Sequence, residues 1–200
     1  KRTMKKLIIG NIINPVSRLK TDYYENHCLI IENGKIAGLI PQSKIENNYP
    51  DFEKINYVGK FISPGFIDNH LHIPQVNQRA RYGENLMEWL NKYILTAEES
   101  FADCETAERE IKCCFNCLIA NGTTTAVMYN SYHRQATDLA FQLAEKSGLK
   151  AFIGKTMMDY FTDGKQYEMT DQSLTDSYDL YKKWDGKDNG RLKYIFTPRF

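Results

Sequence analysis

The rhythm of apolar and polar positions changes once along this chain, at Pro64. Before it, residues 6–11, 28–32 and 35–40 are short runs rich in Ile and Leu. Asn33-Gly34 between the second and third is a two-residue hairpin signal. Gly59-Lys60-Phe61-Ile62 then leads into Ser63-Pro64-Gly65. Residues 1–63 therefore read as β-structure. After Pro64 the pattern alternates. Residues 65–68 form a short buried-type strand, and residues 84–93 carry Leu86, Met87, Trp89, Leu90 and Tyr93 at helical spacing. Residues 105–120 predict the clearest helix, with Ile111, Cys114, Phe115, Leu118 and Ile119 on one face, Asp103 or Thr106 as its cap and Gly122 beyond its end. The β-branched run 123–128 predicts a strand, and 135–146 a helix ending at Gly148. Residues 151–155 predict a strand, 172–184 a helix, 185–190 a turn and 192–196 a fourth strand.

Strands alternating with helices imply parallel βα units, hence an α/β fold. Four strands from Gly65 onward fit a doubly wound sheet. They also fit the first half of a (β/α)8 barrel, whose usual length is about 250 residues. The absence of a Gly-rich loop after any strand weakens the nucleotide-binding option.

Composition narrows the class. The 200 residues are 42% hydrophobic and 26% charged with a net charge of +1, as in an ordinary globular protein. Such a balance predicts no nucleic-acid partner. No apolar run approaches the roughly 18 residues of a membrane helix, so no membrane role is expected. The basic start, Lys1 to Lys6, is followed by only Leu7-Ile8-Ile9, too short for a signal-peptide core and better read as a strand. The five cysteines are an odd number, which points to reduced thiols and a cytoplasmic setting.

The candidate chemistry is concentrated at His70 and His72. Residues two apart on a strand share a face, so two imidazoles can reach one ion from the same side. They lie at the C-terminal end of a strand, where barrel active sites are built. Imidazole suits zinc, iron or nickel. Asp68 shares the face and reads as a supporting carboxylate. His133 follows the second strand and reads as a hydrogen-bonding residue, and His27 as structural. Cys114-Phe115-Asn116-Cys117 falls inside a helix, where no helix N-terminus lowers a thiol pKa, so these cysteines read as packing residues. Trp89 reads as part of a core helix face. On residue type alone Arg199 is a surface ion-pair residue and Phe200 a core residue.

Pro64-Gly65-Phe66-Ile67-Asp68-Asn69-His70-Leu71-His72 resembles the first-strand signature of the amidohydrolase superfamily, preceded by part of that superfamily's small β-sandwich domain. Ile73-Pro74-Gln75, Leu86-Met87-Glu88-Trp89-Leu90-Asn91-Lys92-Tyr93, Asn121-Gly122-Thr123-Thr124-Thr125-Ala126, Ala151-Phe152-Ile153-Gly154-Lys155 and Thr197-Pro198-Arg199-Phe200 follow in the order seen in its guanine deaminase branch. The resemblance implies a β-sandwich part over 1–63 and the first four units of a (β/α)8 barrel over 64–200. It implies His70 and His72 as two ligands of one zinc, with iron as the alternative ion. It also implies Gln75 and Arg199 on the purine edge and Phe200 on the purine face. The activity implied is hydrolysis of guanine to xanthine and ammonia by metal-activated water, in purine catabolism or salvage, by a cytoplasmic homodimer. No catalytic acid–base is assigned within these residues: a proton-shuttling Glu, a later His pair and an Asp are expected beyond Phe200. Four units leave a barrel open, so the expectation is the N-terminal portion of a chain about twice as long, inactive alone. A cytosine, 8-oxoguanine or adenosylhomocysteine-type deaminase remains the alternative, as does a metal-free scaffold relative.

Overall fold

Asn33 and Gly34 both take positive φ (51° and 77°), as the tight turn between two twisted strands requires. In the computed structural model, which describes residues 4–45, 48–159 and 166–199, this turn joins β2 (Lys20–Glu32) to β3 (Lys35–Pro41). Two further strands, β1 (Lys5–Ser17) and β4 (Glu53–Ile62), complete a sheet of order β3-β2-β1-β4. β4 runs parallel to β1 and the other pairs are antiparallel. Leu7, Ile9, Cys28, Ile30 and Ile45 form its core. β1 and β2 extend well past the apolar runs of the sequence, through polar residues to a turn at Arg18-Leu19. That turn has neither Gly nor Asn to mark it. The chain divides into two units at this level, Lys1–Pro64 and Gly65–Phe200.

The second unit is α/β. Its sheet contains β5 (Phe66–His72), β6 (Thr123–Tyr129), β7 (Lys150–Gly154) and β9 (Leu192–Tyr194), all parallel, in sequential order β5-β6-β7-β9. A shorter parallel pair joins β8 (Thr156–Met157) to β10 (Thr197–Pro198). The helical segments are α1 (Leu86–Trp89), α2 (Leu95–Glu99), α3 (Cys104–Ala120), α4 (Arg134–Ser147) and α5 (Thr170–Trp184). The apolar faces of α3, α4 and α5 share one core with the strands, which includes Ile111, Phe115, Met128, Phe141, Ile153, Leu180 and Leu192.

Local signals set most boundaries. Asp103 Oδ2 accepts the Thr106 N–H at 2.9 Å and caps α3. Gly148 ends α4 at φ +83°. The helix read at 84–93 begins instead at Leu86, where Asn85 Oδ1 accepts the Glu88 N–H at 3.0 Å. It continues through a wide π-type turn at Leu90–Ile94 into α2. Ile119 does not join the buried face of α3 and is 46% exposed. The fourth strand stops at Tyr194 rather than running to Phe196. The chain instead pairs again at Thr197–Pro198, and Phe196 is 52% exposed. Two glycines are needed for close approach. A Cβ on Gly65 would sit 2.2 Å from the Thr124 side chain, and one on Gly154 2.4 Å from the Ile195 carbonyl. Among the described residues no helix is long and apolar enough to cross a membrane.

Candidate metal and substrate site

His70 and His72 are carried at the C-terminal end of β5 with their ring centroids 5.1 Å apart. Asp68, two residues earlier, accepts the His70 backbone N–H at 3.1 Å, so it braces the strand end. The register places Tyr129 beside His72. Its ring stacks on the His72 imidazole at 4.7 Å and 13°, and meets His70 edge-on at 5.4 Å. The wall of the pair is therefore aromatic.

His72 is largely buried, with 16% of its side chain exposed. Burial pushes its pKa down to about 4, and the positive charge of Arg199 and the neighbouring His70 add to the effect. The ring is neutral at pH 7, the form that ligates a metal. Its Nδ1 is buried without a hydrogen-bond partner, 4.0 Å from Glu98 Oε1. An uncharged imidazole with a buried, unpaired nitrogen fits a place in a metal's ligand set. Two imidazoles are only part of such a set. Among the described residues no three His, Cys, Asp or Glu side chains converge to hold an ion.

A tight turn, Ile73–Gln75, brings Gln75 around to the same cleft. Arg199 reaches it from the far end of the sequence. The β8–β10 pairing and a hydrogen bond from the Arg199 N–H to the Met157 carbonyl (2.9 Å) fix its backbone. His70, His72, Gln75 and Arg199 thus line one open cleft of about 850 Å3, together with Asp68 and Trp89. Phe200 lies outside the described residues. Trp89 both packs against the apolar cluster of Leu90, Ile94, Leu95 and Met158 and faces the cleft, so its reading as core alone was too narrow.

The other histidines stand apart, whereas Cys114 and Cys117 of α3 border the cleft. His27 packs against Tyr24 in the first unit, with its Nδ1 2.7 Å from the Glu25 carbonyl. His133 precedes α4 against Tyr132, ring centroids 4.2 Å apart, and is absent from the cleft lining. Burial, with smaller effects from Cys117 and Cys113, pushes the Cys114 thiol up to about 12, the behaviour of a packed residue.

The sequence reading passed over Glu98. It is fully buried and pairs with Arg199 Nη1 through Oε1. Burial pushes its pKa up, and Arg199, then Gln75, pull it down. The available signal was positional: Leu90, Ile94 and Leu95 mark the buried face of this helical segment, and Glu98, near the same stripe, places a charge where an apolar residue is expected.

The profile of the Amidohydrolase family matches residues 61–199. The guanine deaminase of Escherichia coli (strain K12) is 36% identical over 180 residues, which cover 89% of this chain and 40% of that protein. The crystal structure of a guanine deaminase from C. acetobutylicum with bound guanine superposes with a TM-score of 0.89 at 29% identity, covering 98% of this chain and 46% of that one. An adenosine deaminase from Xanthomonas campestris with bound zinc shares the fold, with a TM-score of 0.73 at 18% identity and coverage of 98% and 43%. The chain thus spans somewhat less than half the length of these relatives. With the profile matched from the last residues of the first unit through Arg199, the chain belongs to the amidohydrolase family.

Proposed function

We propose that this chain is the metal- and purine-binding portion of a zinc-dependent guanine deaminase. The observation that carries the reading is the convergence of His70, His72, Gln75 and Arg199 on one cleft at the C-terminal end of β5. The relatives of known structure and sequence named above support guanine as substrate, and the zinc in the xanthomonad structure supports the ion.

We read β5, β6, β7 and β9 as the first four strands of a (β/α)8 barrel. Their sequential order favours this over a doubly wound sheet, in which the strand order reverses at a switch point. Phe66 and Ile67 on the edge strand β5 are each 65% exposed, which suits a strand flanked by a further neighbour.

In the reaction, the guanine ring carbon bearing the exocyclic amino group gains a hydroxyl from water and loses that amino group as ammonia, giving xanthine. His70 and His72 would hold the ion, and a bound divalent ion makes water acidic enough to act near neutral pH. Tyr129 keeps the His72 ring in place by stacking. The Arg199 guanidinium and the Gln75 amide would hydrogen-bond the purine edge. A planar guanidinium with fixed donors matches a carbonyl oxygen beside a ring nitrogen. Phe200 would cover the purine face.

The test is ammonia release from guanine by the enzyme at its natural length, before and after chelation. Loss of turnover on chelation, restored by zinc, and loss in His70→Ala and His72→Ala are the expected results. Turnover of cytosine, 8-oxoguanine or adenosylhomocysteine in place of guanine would overturn the substrate assignment. Full activity in a metal-free preparation would overturn the metal assignment.

A further inference from the structure

Glu98 is a carboxylate with no exposure to solvent, a place such a group seldom occupies without a partner. Three side chains that line the cleft converge on it. Arg199 Nη1 donates to Oε1. The Gln75 amide acts on the same carboxylate. His72 Nδ1 lies 4.0 Å from Oε1. The partners come from separate parts of the chain: Arg199 is 101 positions from Glu98 in sequence, and Gln75 and His72 lie just beyond or at the end of β5. Glu98 itself is carried by α2, directly after the wide π-type turn at Leu90–Ile94. Such turns reorient the residues that follow and recur at functional sites.

Arginine and glutamine lose much rotamer freedom when fixed. A ligand that had to order both would bind less tightly by that cost. A buried carboxylate gripping one edge of the guanidinium orders it beforehand. We propose that Glu98 is a positioning residue that holds Arg199 and Gln75 in their ligand-binding orientation, and so sets affinity for a purine presenting a carbonyl oxygen and ring nitrogen along one edge. This inference rests on the guanine deaminase reading for its substrate, but its geometric content is testable separately.

Glu98→Gln keeps the side chain's size and one acceptor oxygen and removes the charge. At natural length, with zinc bound, this variant should raise the guanine KM about tenfold, equivalent to about 1.4 kcal/mol. Its kcat should change by less than about threefold, the pattern of lost binding rather than lost chemistry. Its zinc content, measured by mass spectrometry of the metal, should equal that of the parent. Phenylglyoxal labelling of Arg199, mapped by peptide mass spectrometry, should be several times faster in the variant. Glu98→Asp, which keeps the charge but shortens the reach, should fall between the two in KM and labelling, and it replaces Glu98→Gln if that variant does not fold. Equal Arg199 labelling in parent and variant overturns the proposal whatever the enzyme's substrate. So does a fall in kcat at unchanged KM, or loss of zinc. A parent enzyme inert towards guanine would overturn the substrate reading alone, because the labelling still decides whether Glu98 holds Arg199.

Discussion

Lys155 Nζ lies 2.6 Å from Glu168 Oε2, with the lysine side chain fully buried. The ammonium also donates to the Thr156 carbonyl and to Ser173 Oγ, both at 3.2 Å. Glu168 Oε1 accepts the Met158 N–H at 2.8 Å and the Ser173 hydroxyl at 2.7 Å. The pair thus fastens the chain just past β7 to the first turn of α5. Burial pushes the Lys155 pKa down, and Glu168 opposes that shift. Removing one partner leaves a buried charge unmatched, which costs about 3–5 kcal/mol. Lys155→Met should therefore lower the denaturation midpoint strongly. Lys155→Met with Glu168→Gln should be less destabilised than Lys155→Met alone. A single variant as stable as the parent in urea would refute the fastening role.

Gly154 and Gly148 resist substitution for different reasons. At Gly154 a Cβ would meet the Ile195 carbonyl at 2.4 Å, a backbone atom that gives way only if the strand moves. At Gly148 there is open space, but φ is +83°. Gly148→Ala should cost roughly 1–2 kcal/mol from left-handed strain alone. Gly154→Ala should cost roughly 1–3 kcal/mol through crowding and displace the segment that leads to Arg199. Hydrogen exchange separates the two. Amides of residues 195–197 and of Arg199 should exchange faster in Gly154→Ala and at the parental rate in Gly148→Ala. Equal exchange in both variants would show that the close approach does not hold that segment.

The cysteines should react in an order set by exposure and ionisation. Cys104 is exposed at the start of α3, whereas Cys114 is buried with its pKa pushed up to about 12. The thiolate is the reactive form. At pH 8, alkylation mapped by mass spectrometry should label Cys104 first and Cys114 only after unfolding. Labelling of Cys114 in the native protein at the rate of Cys104 would contradict the packing of α3 against the sheet.

What the sequence disclosed was local. Asn33-Gly34, Asp103 and Gly148 act on their own neighbours, and each does in the structure what its side chain or backbone predicts. His70 and His72 share a strand face because their spacing requires it. Glu98 was not legible as a binding-site residue because its partner lies 101 positions away. Lys155 was read as the last residue of a strand. Its burial depends on Glu168 and Ser173, which approach only when α5 packs. The return of the chain at Thr197–Pro198 depends likewise on β8, a two-residue strand with no periodicity to read. Ile119 fits the helical stripe of α3 in sequence, but it lies beyond the strip the sheet covers.

Asp138 ties α4 to α5, and acid should loosen that tie. Its Oδ1 accepts from Trp184 Nε1 at 2.7 Å and lies 2.6 Å from Lys183 Nζ, while Oδ2 accepts from Gln142 at 2.9 Å. Trp184 in turn stacks on Phe141 at 5.2 Å and 8°. Burial alone would raise the Asp138 pKa, but the hydrogen bonds from Lys183, Trp184 and Gln142 outweigh it and hold the carboxyl below its ordinary value of 3.8. A carboxyl with a depressed folded-state pKa binds protons more readily when the chain unfolds, so stability rises with pH through that range. Its contribution is complete above the ordinary value and is lost as the pH falls below 3.8 towards the folded-state pKa. Asp138→Asn keeps an acceptor for Trp184 but loses the charge that Lys183 answers. It should cost about 1–2 kcal/mol at pH 7. The cost should shrink as the parent's own carboxyl is protonated in acid. Urea midpoints of parent and variant at pH 7 and near pH 3 measure this directly. A stability difference that stays constant across that range would show that Asp138 holds the helices together by shape and not by charge.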